Sequence, residues 1–204
     1  VIFVLYAAVA LAGAGVHIWR HPEARERGAA IETVLLWWLV VTIGVAGIIG
    51  GLYHLLDGAR VASEIGFTRG DGGFQTEVGF GDLALGIAAV LCVWFRDRYW
   101  LAIIVVAMIS LWGDAYGHIH QAVVNDNHDP DNTGPVLYTD ILFPLVALAL
   151  YALRERVRPS DWPAAAPAAT LDRSLVELPD GVPGEDRRRG SGRAGRDGGR
   201  PQPS

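Results

Sequence analysis

The chain has 204 residues, 51% of them hydrophobic, with seven Trp and a formal charge of −5, and a mean hydropathy of +0.27. So apolar a chain, carrying in addition a polar C-terminal stretch, is excluded from the ordinary soluble domains and reads as a multi-pass membrane protein. The acidic balance is spread over loops and tail and offers no face for nucleic acid, while a single cysteine, Cys92, excludes a disulfide framework or a thiolate metal site within one chain.

Five apolar spans are predicted, at 1–19, 32–56, 77–95, 100–124 and 135–153, each near the ~20 residues needed to cross a hydrocarbon core ~30 Å thick. The fold class is therefore all-α, an integral membrane bundle over 1–158, followed by a disordered cytoplasmic tail over 159–204 whose Pro, Ala, Gly and Arg have no core to join. For the first span a cleaved signal peptide is the rival reading, because Ala12-Gly13-Ala14 resembles a small-residue cleavage site; the missing basic n-region argues for a retained helix. A short amphipathic helix, Ala59 to Phe67, is expected between spans two and three.

Arginines set the orientation. Arg20, Arg25 and Arg27, then Arg96 and Arg98, then Arg154, Arg156 and Arg158 share one side, and only Arg60 and Arg69 lie on the other. The positive-inside rule then gives an inner-membrane protein with its N-terminus out and its C-terminus in. Trp19, Trp37, Trp38, Trp94 and Trp100 gather at the same inner boundary, as an interfacial belt does.

Ionisable residues inside apolar helices mark functional sites, and here they fall toward the outer ends of spans two to five. On span two, His54 continues a glycine face through Gly47 and Gly50, with Gly44 and Gly51 beside it, which suits close helix packing. On span three, Glu77 heads a small-residue stripe with Gly81, Ala84 and Ala88, and Asp82 lies on the adjacent one; Phe80, Leu83, Ile87, Leu91 and Trp94 form the bulky lipid side. Span four carries Asp114, His118, Gln121 and Asn125 on one face, whereas His120 points about 200° away from His118.

Asp140 has two readings. Thr139 or Asp140 caps a last helix that starts at 141, or the helix starts near Pro135 and Asp140 lies a turn inside it, beside a backbone carbonyl freed by Pro144. Near the inner boundary His17 and Glu32 are placed to pair. The loop 125–139, with Asp126, Asp129 and Asp131, lacks the EF-hand order and reads as a solvated, turn-rich lid.

Four short motifs, Phe74-Gln75-Thr76-Glu77-Val78-Gly79, Gly117-His118-Ile119, Asn132-Thr133-Gly134 and Asp140-Ile141 with Pro144, resemble a family of small, uncharacterised bacterial multi-pass membrane proteins over residues 60 to 150. In that family's pattern an Asn commonly stands at the position of Asp82 and no acid is required at that of Asp114. The resemblance implies a membrane bundle, points to Gln75, Glu77, His118, Asn132 and Asp140 as site residues, and implies no particular activity.

Three functions fit a pocket of His54, Gln75, Glu77, Asp82, Asp114, His118, Asn132 and Asp140. A membrane scaffold, sensor or partner-binding subunit needs only mutually satisfied polar groups. A metal-dependent enzyme would draw its zinc, manganese or iron ligands from Glu77, Asp114, His118 and Asp140. A transporter of protons, cations or small solutes would relay through Glu77, Asp114, His118 and His54, yet the inner halves of spans three to five are almost wholly apolar, which favours a one-sided pocket. The lipid bilayer is the expected partner; a small ligand or ion, and oligomerisation, stay open.

Overall fold

The computed structural model describes residues 2–66 and 72–157, and all regular structure among them is helical. The expected tail, 159–204, lies outside the described residues. Helix α1, Ile2–Arg20, stops before the 3-10 turn Pro22–Arg25. That turn folds Arg25 back to donate from Nη2 to the carbonyl of Trp19 at 2.7 Å and from Nε to that of Ile18 at 3.4 Å, a cation on the orphan carbonyls of a helix end.

Helix α2, Arg27–Trp38, passes through a π-helical segment, Leu39–Val45, into α3, Ala46–Glu64. In the widened turn the Ala46 N–H reaches back to Val41 O, and the Thr42 hydroxyl donates to Trp38 O at 2.7 Å. Asp57, at φ −142° and ψ 42°, interrupts α3. Beyond it Val61 and Ala62 are buried and Arg60 pairs with Glu64 at 2.7 Å. The expected amphipathic helix from Ala59 is thus the last part of α3, because its buried pair continues the packing of the long helix; Phe67 is outside the described residues. Gly66, at φ 72°, leads the chain out, and Asn127 Nδ2 donates to the freed carbonyl of Ile65 at 2.8 Å.

Helix α4, Gly72–Val90, ends in a 3-10 turn, Leu91–Val93. Two donors from the next helix satisfy its terminal carbonyls: Tyr99 Oη bonds Ala88 O at 2.8 Å and Trp100 Nε1 bonds Cys92 O at 3.0 Å. Helices α5, Arg98–Val124, α6, Pro130–Thr133, and α7, Pro135–Val157, complete the order. Because α7 starts at Pro135, Asp140 is interior, and the Thr139 hydroxyl bonds back to Val136 O at 2.8 Å instead of capping.

Four helical stretches are long and apolar enough to cross a membrane, Arg27–Glu64, Gly73–Val93, Arg98–Val124 and Pro130–Val157, with Val4–Arg20 a shorter apolar helix. Their outer surfaces expose Phe80, Ile109 and Val123, compatible with lipid contact. Inside, Leu35, Leu39, Ala89, Cys92, Trp100, Ile104, Ala107 and Ala147 are buried in one apolar core, in the half of the bundle remote from His54.

That end is tied by charge. Arg154, only 3% exposed, reaches Asp97 at 2.6 Å, Glu155 at 2.8 Å and Glu32 at 3.1 Å, and its guanidinium lies 5.3 Å from the Trp100 ring centroid. Arg96 adds a second bond to Glu32 at 2.9 Å. The expected His17–Glu32 pair does not form: two guanidiniums hold Glu32 more strongly than a neutral imidazole can, and His17 Nδ1 accepts from Trp37 Nε1 at 3.3 Å.

Candidate functional site

Close backbone contact between α3 and α4 positions the first part of the site. A Cβ placed on Gly51 would lie 2.6 Å from Gly79 O and 2.7 Å from Leu83 N, and one on Gly86 would lie 2.6 Å from Ile48 N. Only hydrogen fits at these positions, so the two helices touch along their main chains. One turn past Gly50, His54 then faces α4, where its Nδ1–H donates to Gln75 Oε1 at 2.6 Å and its Nε2 faces Asp82 Oδ2 at 3.9 Å. Gly58 makes room for Gln75, whose Cβ would be 2.9 Å from a Cβ at that glycine.

A second set of the same composition stands on α5, α6 and α7. His118 Nδ1 pairs with Asn132 Oδ1 at 2.7 Å, and His118 Nε2 faces Asp140 Oδ2 at 3.8 Å. Asn132 is fully buried, and its Nδ2 donates to His118 O at 3.2 Å and Asn127 O at 2.8 Å. Each imidazole is therefore anchored by an amide at Nδ1 and turned toward an aspartate at Nε2.

Asp114 joins the two sets. It stands one turn before His118 on α5 and within electrostatic range of His54, Asp82 and Asp140. Its residue surface is exposed, unlike that of Gln75, Asn132 and Asp140, which are buried. No Lys occurs in the sequence, and none of the ion pairs formed by Arg among the described residues involves Asp82, Asp114 or Asp140.

Of the eight sequence-derived candidates, six make up the two sets, His54, Gln75, Asp82, His118, Asn132 and Asp140, and Asp114 lies within electrostatic range of both. Glu77 does not join them. It is exposed, and the pairing position on His118 is filled by Asn132. The stripe it heads is likewise open, with Gly81 and Ala84 exposed, because α4 packs on α3 through Gly79 and Gly86 and not through Gly81. Among the described residues no three His, Cys, Asp or Glu side chains are arranged to hold a metal ion; of Glu77, Asp114, His118 and Asp140, His118 and Asp140 face each other. His120 is exposed beside the Tyr116 ring at 6.1 Å.

In the sequence Arg154 reads only as a topology signal, and its cluster has no periodic pattern to announce it. Asp97 between Arg96 and Arg98, at a predicted helix boundary, and Glu32 inside a predicted span were the available signs.

An all-helical chain of membrane-length apolar helices, built round a polar cluster of imidazoles, amides and carboxylates, is the class these features define. Within that class the chain belongs to the Family of unknown function (DUF6790), whose model matches residues 1–160. No curated protein and no solved structure matches it.

Proposed function

We propose that this protein is a multi-pass subunit of the inner (cytoplasmic) membrane, N-terminus out and C-terminus in, that acts as a sensor or binding subunit through an outward-facing, proton-exchanging pocket. One observation carries the reading: two amide–imidazole–aspartate sets flank the exposed Asp114 at one end of the bundle, while the other half of the same helices is apolar core closed by Arg154. Imidazole changes charge between pH 5 and 8, and intramembrane carboxylates next to it are sites of proton uptake. A conduit needs polar groups along its whole length, and Leu39, Cys92, Ile104 and Ala107 stand in the way.

The test uses the full chain in proteoliposomes with a pH difference across the membrane. Infrared difference bands of carboxyl and imidazole groups should follow the outside pH, with no proton flux above that of empty vesicles. Sustained flux would replace the sensor with a conduit, and pH-invariant bands would remove proton exchange.

A further inference from the structure

The two sets look alike, but their amides are held differently. Asn132 Nδ2 donates to two backbone carbonyls, His118 O and Asn127 O. Carbonyls only accept, so Asn132 Oδ1 must be the atom at 2.7 Å from His118 Nδ1, and that nitrogen must carry a proton. A neutral His118 then presents a bare Nε2 to Asp140 Oδ2, 3.8 Å away. Two acceptors facing each other in an enclosed site, with Asp140 only 8% exposed, repel unless one proton lies between them.

Gln75 has no such lock. It is 2% exposed, and its Nε2 has no hydrogen-bond partner among the described residues. Turned over about its last torsion, the same amide donates Nε2–H to His54 Nδ1 and leaves Oε1 as the idle atom. His54 is thereby free to be neutral with its proton on Nε2, directed at an ionised Asp82 across 3.9 Å, or to take a second proton and return to the arrangement described above.

We propose that the exchangeable proton of the pocket is carried by the His54–Asp82 pair, and that the His118–Asp140 pair keeps its proton throughout. The proposal rests on the proton-exchanging reading of the pocket and names its acceptor. On deprotonation of cationic His54, the Nδ1 proton leaves to solvent, the Nε2 proton stays, and Gln75 reverses to donate in its place. His54 meets Gln75 and Asp82 from α4 and His118 meets Asn132 from α6 and Asp140 from α7, with Asp114 of α5 in electrostatic range of both; Asp57 follows His54 by three residues on α3.

Nitrogen-15 NMR of histidine-labelled full-length protein in nanodiscs, from pH 5 to 8, reads the proton on each ring nitrogen. The signals are assigned by their loss in His54→Gln and His118→Gln. The expected result is that His118 keeps a protonated Nδ1 at every pH without a titration step, whereas His54 passes from imidazolium to the Nε2–H form. In Gln75→Glu, whose carboxylate only accepts, His54 should lose the Nε2–H form; in Asn132→Leu, His118 should begin to titrate. Titration of wild-type His118, or a His54 that holds its Nδ1 proton at both ends of the range, overturns the assignment and leaves the proton-exchanging pocket standing. If neither histidine titrates, the pocket reading itself falls with it.

Discussion

Arg154 and Asp97 set two effects against each other, and their sizes can be separated. Replacing Arg154 with Met removes a 3%-exposed guanidinium together with its bonds to Glu32 and Asp97, while Arg96 stays on Glu32. Breaking a buried ion pair from one side costs about 3–5 kcal/mol. Glu32 and Asp97 keep 23% and 32% of their side-chain surface, so solvent offsets part of the loss and the lower end, about 3 kcal/mol, is expected. Asp97 is also held at φ 59° and ψ −114°, a backbone region that a side chain occupies at a cost of about 1–3 kcal/mol. Asp97→Ala should lose the ion pair and keep the strain, whereas Asp97→Gly should lose the ion pair and shed the strain. The alanine variant is therefore expected to be less stable than the glycine variant by about 1–3 kcal/mol. Reversible unfolding in micelles, followed by circular dichroism, measures both differences. Equal stabilities for the two Asp97 variants would refute the strain, and a loss below about 1 kcal/mol in Arg154→Met would refute the role of the buried cation, since that is the range of surface pairs.

Three further outcomes are expected. Gly51→Ala should push α3 from α4, because its Cβ would meet Gly79 O and Leu83 N at 2.6 and 2.7 Å, with a loss of about 1–3 kcal/mol in micelle unfolding; Gly15→Ala, where nothing lies within 4 Å, is the control and should be neutral. Asn132→Leu and His118→Ala should be strongly non-additive in a double-mutant cycle, coupling well above the roughly 0.3–0.5 kcal/mol of independent sites, whereas Glu77→Gln with His118→Ala should add. In a Cys92→Ala background, a membrane-impermeant thiol reagent applied to intact cells should label Asp129→Cys and spare Ser191→Cys; the reverse pattern would invert the orientation.

Helix positions were readable from hydropathy because a membrane-length apolar run has few other solutions, and the glycine spacing of span two pointed at the face on which α4 packs. Partner choice was less readable. A helical wheel gives an azimuth and not the neighbour that fills it, so Glu77 shared an inward stripe on paper while Asn132, on the short helix α6, took the bond to His118. The Arg154 network escaped for the same reason: Glu32, Asp97 and Arg154 are far apart in sequence and none has a periodic signal. Residues 39–45, Leu-Val-Val-Thr-Ile-Gly-Val, contain no Pro or Gly pair to announce a π segment.

That segment sets the rotational phase of everything after it. On an unbroken α-helix Leu35 and His54 would stand about 100° apart around the axis. A π turn absorbs about one extra residue, which rotates the following stretch back by about that angle, so Leu35 enters the apolar core and His54 meets α4 from the same side of one continuous rod. A single-residue deletion between Leu39 and Val45 would leave a better α-helix and the same hydropathy, yet it would turn Gly47, Gly51 and His54 away from α4 together. Length in this stretch is therefore a stricter requirement than the identity of its residues.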